Sequence, residues 1–337
     1  MNYEGKKILI IGGTGTLGQL LTRYLLRYNP QVIRIFSRDE YKQFEMQRYF
    51  VDQQAKLRFL IGDVRDAQRL QRAMEDIDYV FHLAAMKHVP FCEYNPFEAV
   101  QTNIIGTQNM IQAAIQNGVK KVLFTSTDKA ISPTNTYGAT KLMAERLISA
   151  AEYQKGPKQT VFASVRFGNV MGSRGSVIPL FCKQILENQM VTVTDMSMTR
   201  YMMTSTQAIT LMLKANELSL GGEVFVLRMP TIKLSDLVDV LVEEVTKKHQ
   251  ISKYIERNEI GLRPGEKRYE ELMTHDETLH GWETNDMYII PSPFNEKMPI
   301  DPYSGATKMS AQSINSHQEE TIDRETLRRW IIEEGLI

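Results

Sequence analysis

The chain is poor in cysteine, with only Cys92 and Cys182 among 337 residues. Neither has a second Cys at metal-ligand spacing, which argues against a metal site. Two isolated thiols in a chain this long point to reduced, buried side chains rather than a disulfide framework. Charge of one sign is also missing. Lys and Arg total 40, Asp and Glu total 40, and the formal net charge is +0. With no long basic run, the sequence lacks the electrostatic footprint of a nucleic-acid binder. No apolar run approaches the ~18–20 residues that span a bilayer. The opening "MNYEGKKILIIGG" enters a strand within a few residues and has no charged-then-apolar leader pattern. Repeats and low-complexity stretches are absent as well. The expectation is a cytoplasmic protein with no metal, no nucleic acid and no membrane among its partners.

What is present is a regular alternation. Hydrophobic residues make up 42% and charged residues 24%, as in ordinary globular proteins, and the length allows one or two domains. "KKILIIGG" (6–13), "VIRIFSRD" (32–39), "LRFLIGD" (57–63), "DYVFHLAA" (78–85), "KKVLFTST" (120–127) and "TVFASVRF" (160–167) read as strands. Their near-continuous apolar character fits strands buried on both faces, as in a parallel sheet. Helical patterns lie between them, such as 17–28 and 99–118, the latter closed by Gly118. Strands alternating with helices imply an α/β, Rossmann-type doubly wound parallel sheet. After about Arg166 the alternation loosens, which suggests a smaller C-terminal substrate-binding lobe. The division expected is 1–165 for a cofactor-binding domain, with segments returning to it near 160–185 and 203–230, and 166–337 mainly for the lobe and tail. Within the lobe, 232–248 reads as an amphipathic helix with Ser235 as N-cap. The polar stretch 304–321 reads as a lead-in to a last helix over 324–335.

"GGTGTLG" follows the first strand and opens the first helix. Gly12, Gly15 and Gly18 permit a tight turn and a close approach of backbone to a pyrophosphate, and the helix N-terminus offers unpaired N–H groups. The second strand ends in Ser37-Arg38, where an acidic residue would accept from the ribose of NAD. Ser and Arg suit a 2′-phosphate and favour NADP, although Asp39 follows at once. Asp63, at the end of the third strand, suits either the adenine edge or a helix N-cap.

The stretch "STDKAISPTNTYGATK" (126–141) carries the chemistry. Tyr137 and Lys141 are four apart, on one face of a helix. A free tyrosine, with a pKa of ~10, is a poor base near neutrality. An ammonium one turn away stabilises the phenolate, and Thr127 can share the substrate's proton. The set suits removal of a proton from an alcohol while hydride leaves the same carbon.

Together with "HLAA" (82–85), "QTNIIGT" (101–107), "TSTDKA" and "YGATK", the glycine loop resembles the extended short-chain dehydrogenase/reductase superfamily. That resemblance implies a bound dinucleotide and a nucleotide-sugar substrate. Asp128-Lys129 narrows it. An epimerase needs only oxidation at C4. A 4,6-dehydratase also needs a base for the C5 proton and an acid for the departing C6 hydroxyl. Retaining 4,6-dehydratases carry Asp-Glu after the threonine. Asp-Lys, with "MKHVPFCEYNP" (86–96), "RFGNVMGSRGSVIP" (166–179), "MTRYMMT" (198–204) and "GLRPGEK" (261–267), resembles the inverting UDP-N-acetylglucosamine 4,6-dehydratases that supply pseudaminic acid.

The resemblance implies roles residue by residue. Tyr137 takes the O4 proton, with Thr127 and Lys141 in support. Lys129, neutral through desolvation and the nearby Lys141, removes the C5 proton, and Asp128 protonates the C6 hydroxyl. Gly12, Thr14, Gly15, Thr16, Leu17, Gly18, Ser37, Arg38, Asp63, Val64 and Ala84 surround NADP, as do Tyr137 and Lys141. Lys87 points at cofactor or sugar. Asn169 and Val177 contact substrate, Arg200 and Arg263 the UDP pyrophosphate, and Glu266 the ribose of UDP. For each arginine alone a surface position is the competing reading. The implied substrate is UDP-N-acetylglucosamine, and the implied assembly is a homo-oligomer, with a hexamer as one form. A retaining dehydratase, a 4-epimerase and a non-catalytic NADP sensor are the rival readings.

Overall fold

In the computed structural model, residues 3–294, 303, 305–312 and 314–337 are described. The expected strands form as β1 (Lys7–Ile11), β2 (Val32–Ser37), β3 (Leu57–Ile61), β4 (Tyr79–His82), β5 (Lys121–Thr125) and β6 (Val161–Arg166). They pair in parallel in the order β3-β2-β1-β4-β5-β6, the Rossmann arrangement. Beyond β6 the sheet continues through the parallel strand Val224–Leu227 and the antiparallel strand Met287–Ile290. Between the strands run α1 (Thr16–Leu26), α2 (Glu40–Tyr49), α3 (Ala67–Ala73), α4 (Val89–Tyr94), α5 (Pro96–Ala99), α6 (Gly106–Gln116) and α7 (Thr136–Gln154). Burial on both faces explains the continuous apolar runs. Ile8 and Ile10 pack with α1 on one side, Leu9 and Ile11 with α3 and α6 on the other, and all four are fully buried. Each such side chain contributes about 1.5–3 kcal/mol. Strand order reverses between β1 and β4, which opens a crevice at their carboxyl ends.

Several local expectations shift. The pattern at 99–118 resolves into α5, a π-helical turn over Val100–Ile105 and α6. Gly118 takes up a left-handed conformation (φ 64) just after the helix. Helix Leu234–His249 starts one residue before Ser235, which therefore sits inside its first turn rather than capping it. Strand Thr231–Lys233 runs straight into this helix, and Leu234 is already buried in the lobe's core. That core joins helices Val177–Asn188, Leu234–His249 and Arg324–Glu333 through Phe181, Ile185, Leu241 and Ile331. Near 160–185 only β6 belongs to the main sheet. The polar tail is more than a lead-in. Thr307–Lys308 pairs with Trp282–Glu283 at the sheet edge, and Ile314–Asn315 pairs with Glu271–Met273. Its polar composition misleads because a few isolated apolar residues, Met309 and Ile314 with Tyr303 just before them, are buried in the core beside these backbone pairings. Ser304 and Ser313 of this tail lie outside the described residues. Both cysteines are free thiols, Cys92 buried and Cys182 half-buried. Among the described residues no helix is long and apolar enough to cross a membrane.

One buried cation ties these parts together. Arg166, at the end of β6, is fully buried. Its Nη2 donates to Glu145 Oε1 of α7 at 2.6 Å and to Glu277 Oε1 at 2.9 Å, and its Nη1 donates to the Leu272 carbonyl at 2.8 Å. Substituting Arg166→Met strands two buried carboxylates, so denaturant unfolding is expected to show a loss of about 3–5 kcal/mol. Adding Glu145→Gln and Glu277→Gln should recover much of it. A loss under about 1 kcal/mol in the single variant would contradict this account.

Candidate active site

The glycine turn is built for close approach. Gly12 has φ +81, and a Cβ there would lie 2.7 Å from Ala84 N. At Gly18 a Cβ would lie 2.4 Å from Gly13 O. Gly15 precedes α1, whose first turn carries no acidic residue, so the helix presents bare N–H groups and its positive end. Thr14 is buried, Thr16 and Leu17 half-buried. This cradle fits a dinucleotide pyrophosphate. At the far end, Arg38 is exposed, with Nη1 3.8 Å from Asp63 Oδ2. Ser37 Oγ accepts from Gln43 Nε2 at 3.1 Å. Asp39 is already engaged: it caps α2, accepting from Lys42 N at 3.0 Å and pairing with Lys42 Nζ at 2.7 Å. Asp63 is not a helix cap. Asp66 caps α3, while Asp63 Oδ1 accepts from Arg65 N at 3.0 Å. Val64 is buried beside it and packs against Gly106, where a Cβ would meet its Cγ2 at 2.6 Å.

The reactive cluster sits where β5 ends. Thr127 Oγ1 donates to Asp128 Oδ1 at 2.8 Å, and the Lys129 amide donates to the same oxygen at 2.8 Å. These bonds curl residues 128–130 into a short turn. Asn135 caps α7 by accepting from Gly138 N at 2.8 Å. A Cβ on Gly138 would lie 2.0 Å from the Lys129 carbonyl, so glycine lets α7 start against that turn. Tyr137 and Lys141 then share one face of α7. Lys141 is buried, donates to the Thr125 carbonyl at 2.5 Å and lies 3.9 Å from the Phe124 ring centroid. Burial lowers its pKa to about 7, with Glu145 pulling the other way. Burial raises the Tyr137 phenol to about 12, opposed by the Lys129 charge and by a hydrogen bond with Thr127. The cation acting on Tyr137 here is thus Lys129.

Lys129 departs from expectation. Its Nζ donates to Glu270 Oε1 at 2.9 Å and lies 3.1 Å from Asp128 Oδ1. Burial works against its charge, but the two carboxylates outweigh burial and hold the ammonium above the usual lysine range. The neutral lysine that desolvation alone would give is therefore not its resting state. Asp128 is pushed up, first by burial and then by Glu270, against the pull of Lys129. Glu270 is held down because Lys129 and Arg200 outweigh its burial.

A pocket of about 240 Å³ opens onto Asp128, Lys129, Asn169, Val177, Arg200, Arg263, Glu266 and Glu270. Asn169 Nδ2 donates to Glu270 Oε2 at 3.0 Å. Arg200 has its nitrogens committed. It donates to the carbonyls of Thr199 and Lys267 at 2.8 Å and of Arg268 at 3.1 Å, with Nε 3.5 Å from Glu270 Oε1. Arg263 is exposed on the rim, its backbone N–H donating to Glu266 Oε2 at 3.0 Å. Lys87 is exposed and lies outside this pocket's lining; burial of its amine and the neighbouring Arg174 lower its pKa.

Sequence reasoning passed over three residues. Glu270 lies 141 positions from Lys129, and nothing in "KRYEEL" marks it. Arg174 donates to the Thr14 carbonyl and, through its amide, to Thr16 Oγ1 at 3.1 Å, so the loop after β6 lies over the glycine turn. Asn103, in the π-helical turn, exchanges hydrogen bonds with Met86 at 2.8 and 3.0 Å and donates to Thr140 Oγ1 at 3.0 Å. The π-helical turn that holds it shows only in the fold, and such turns cluster at functional sites.

The strand order, with the Tyr137–Lys141 face of α7 turned toward the end of β5, is that of the extended short-chain dehydrogenase/reductase class. Comparison with known proteins narrows it. The chain belongs to the polysaccharide biosynthesis protein family, which matches residues 8–292. It is 56% identical to Pen from Bacillus thuringiensis, whose X-ray structure superposes with a TM-score of 0.95 over 100% of both chains. It is 45% identical over 290 residues to a UDP-N-acetylglucosamine 4,6-dehydratase (inverting) of Campylobacter jejuni, covering 86% of this chain and 83% of that one. A UDP-glucose 4-epimerase of Rickettsia conorii is 42% identical over 293 residues, covering 86% and 84%.

Lys141 generates a pH prediction. Its folded pKa of about 7 lies well below the unfolded value of ~10.4. Above that value neither state is charged. Stability falls as the pH drops from about 10 toward 7, because the folded state resists the proton the unfolded state accepts. Lys141→Met should therefore raise the Tm of cofactor-free protein by several degrees at pH 6 and change it little at pH 10. An equal effect at both pH values would contradict a buried, reluctantly charged amine.

Proposed function

We propose that this protein is a UDP-N-acetylglucosamine 4,6-dehydratase that inverts C5. The product is UDP-2-acetamido-2,6-dideoxy-β-L-arabino-hexos-4-ulose. The observation carrying this reading is the pair Asp128–Lys129, set in the pocket wall beside Tyr137. A 4-epimerase needs no acid and base beyond Tyr137. Asp128 and Lys129 are candidates for both, with Lys129 held by the buried Glu270. The name of the Campylobacter relative supports the same reading.

NADP fits the cradle better than NAD, because Asp39 is spent capping α2 while Arg38 stands exposed beside Asp63. The bound nicotinamide would supply the acceptor for the C4 hydride and its donor to C6. The chain's own residues do the rest. Gly12, Thr14, Gly15, Thr16, Leu17 and Gly18 hold the pyrophosphate, Ser37 and Arg38 the adenosine phosphate, Asp63 and Val64 the adenine, and Ala84 and Lys87 the nicotinamide side. Thr127 orients the sugar O4 toward Tyr137, which takes its proton. The 4-keto group so formed acidifies C5. Lys129, once relieved of its proton, removes the C5 proton, and Asp128 protonates the leaving C6 hydroxyl. Asn169 and Val177 line the sugar's path. Arg263 meets the UDP pyrophosphate and Glu266 its ribose, while Arg200 braces the carbonyls of Lys267 and Arg268. Residues 1–165 serve mainly the cofactor and 166–337 mainly the substrate, and we assign a cytoplasmic homo-oligomer.

The second reading, a UDP-sugar 4-epimerase, is favoured by the name of the Rickettsia relative. Incubation with UDP-N-acetylglucosamine and NADP⁺ in D₂O separates the two. Proton NMR should show a new C6 methyl signal, deuterium at C5 and ring couplings of the inverted centre. Tyr137→Phe should lower kcat by about 10²–10⁴, and Lys129→Ala should abolish deuterium uptake at C5. UDP-N-acetylgalactosamine as sole product would sink the dehydratase. Retained C5 would keep the reaction and discard the inversion.

A further inference from the structure

Glu270 is a pocket carboxylate in direct contact with Lys129 that the dehydratase scheme leaves without a task. It is buried just before strand Glu271–Met273, whose partner is the tail. Its amide donates to Ser316 Oγ at 2.9 Å, and its carbonyl accepts from Ser316 N at 2.9 Å. Its carboxylate accepts from Lys129 Nζ at 2.9 Å, Asn169 Nδ2 at 3.0 Å and Tyr201 N at 3.3 Å. Four donors, counting Arg200 Nε at 3.5 Å, fix both oxygens. That is far more anchoring than a pocket wall requires. Asp128 Oδ2, by contrast, is buried and accepts no hydrogen bond among the described residues. Only a protonated Asp128 could donate to the neighbouring Glu270 carboxylate.

We propose that Glu270 is a positioning residue that sets the proton inventory of the Asp128–Lys129 pair, a role that rests on the dehydratase reading. Two carboxylates and one ammonium share a half-buried stretch of the pocket wall, and Arg200 supplies the remaining charge. The pair then needs no proton from solvent. Transfer of one proton across the 3.1 Å gap from Lys129 Nζ to Asp128 leaves a neutral amine and a carboxylic acid. The amine takes the C5 proton, the C5–H electrons form the C5–C6 double bond, and the C6–O bond breaks. The leaving oxygen departs as water with the Asp128 proton. The pair ends as ammonium and carboxylate, the state from which it began. Glu270 remains an anion throughout, holding Lys129 in reach and favouring the proton on Asp128.

The test is the pH dependence of kcat/KM for UDP-N-acetylglucosamine in holoenzyme carrying Glu270→Gln. The charged groups facing the pair are Glu270, Arg200 and Tyr137, with the Cys92 thiol beyond the phenol. Losing the Glu270 charge should move both limbs of the profile toward acid by about one unit, and Glu270→Asp should move them back. A lower amplitude at unchanged midpoints would make Glu270 merely structural and overturn the proposal. A ¹³C-carboxyl NMR titration of Asp128 reads the same claim without turnover. In the unsubstituted protein its midpoint should stand well above the ordinary ~4 of a carboxylate, and it should fall in Glu270→Gln. An ordinary midpoint in the unsubstituted protein overturns the proposal even if the variant does not fold. A raised midpoint in a protein that forms no 4-keto-6-deoxy sugar would instead sink the dehydratase reading and leave the electrostatic role of Glu270 standing.

Discussion

The Arg166 guanidinium holds the two halves of the site in register. It is fully buried and grips Glu145 of α7 on one side and the Leu272–Glu277 segment on the other. α7 carries Tyr137 and Lys141, and Glu270 stands two residues before Leu272. A buried cation of this kind contributes little net stability over an apolar replacement, but it is intolerant of losing a partner. Such a contact specifies geometry. Here it sets how far strand Glu271–Met273 stands from the helix that carries the reactive tyrosine.

The charge pattern of the site follows from that spacing. Four ionisable side chains, Asp128, Lys129, Arg200 and Glu270, meet at one wall of the pocket, and all are half-buried or buried. Low dielectric strengthens each attraction and raises the cost of any unpaired charge. The resting state therefore favours a charged Lys129 and a Glu270 that stays ionised, with Asp128 as the group most ready to take a proton. Lys141 is the opposite case. It is buried against a carbonyl and an aromatic ring, and its charge is resisted. Two lysines twelve residues apart are driven in opposite directions by their neighbours, which is a common way for one site to hold acid and base together.

Much of this was legible beforehand. Continuous apolar runs announced β1 to β6 because a strand buried on both faces has no polar side to show. The glycine triplet and the Tyr137–Lys141 spacing were legible because their geometry is local. Lys129 was misjudged for a complementary reason. Burial can be guessed from sequence, but its partner Glu270 lies 141 residues away, and only folding shows that the partner wins. Ser235 and Asp63 look like helix caps by residue type, yet the true boundaries depend on where Leu234 buries and on Asp66 being closer to α3. The tail hid its two short strands because two residues each are too few to show a period, and the buried Ile314 and Met309 stand isolated among polar neighbours.

The central claim is that the Asp128–Lys129 wall faces C5 and C6 of a sugar whose C4 lies at Tyr137. The most direct measurement is a crystal structure with NADP⁺ and UDP-N-acetylglucosamine bound. The account predicts C5 within about 3.5 Å of Lys129 Nζ and the C6 hydroxyl within hydrogen-bond reach of Asp128. A sugar with C4 at Tyr137 but C5 and C6 turned away from this wall, its C6 hydroxyl in solvent, would contradict it.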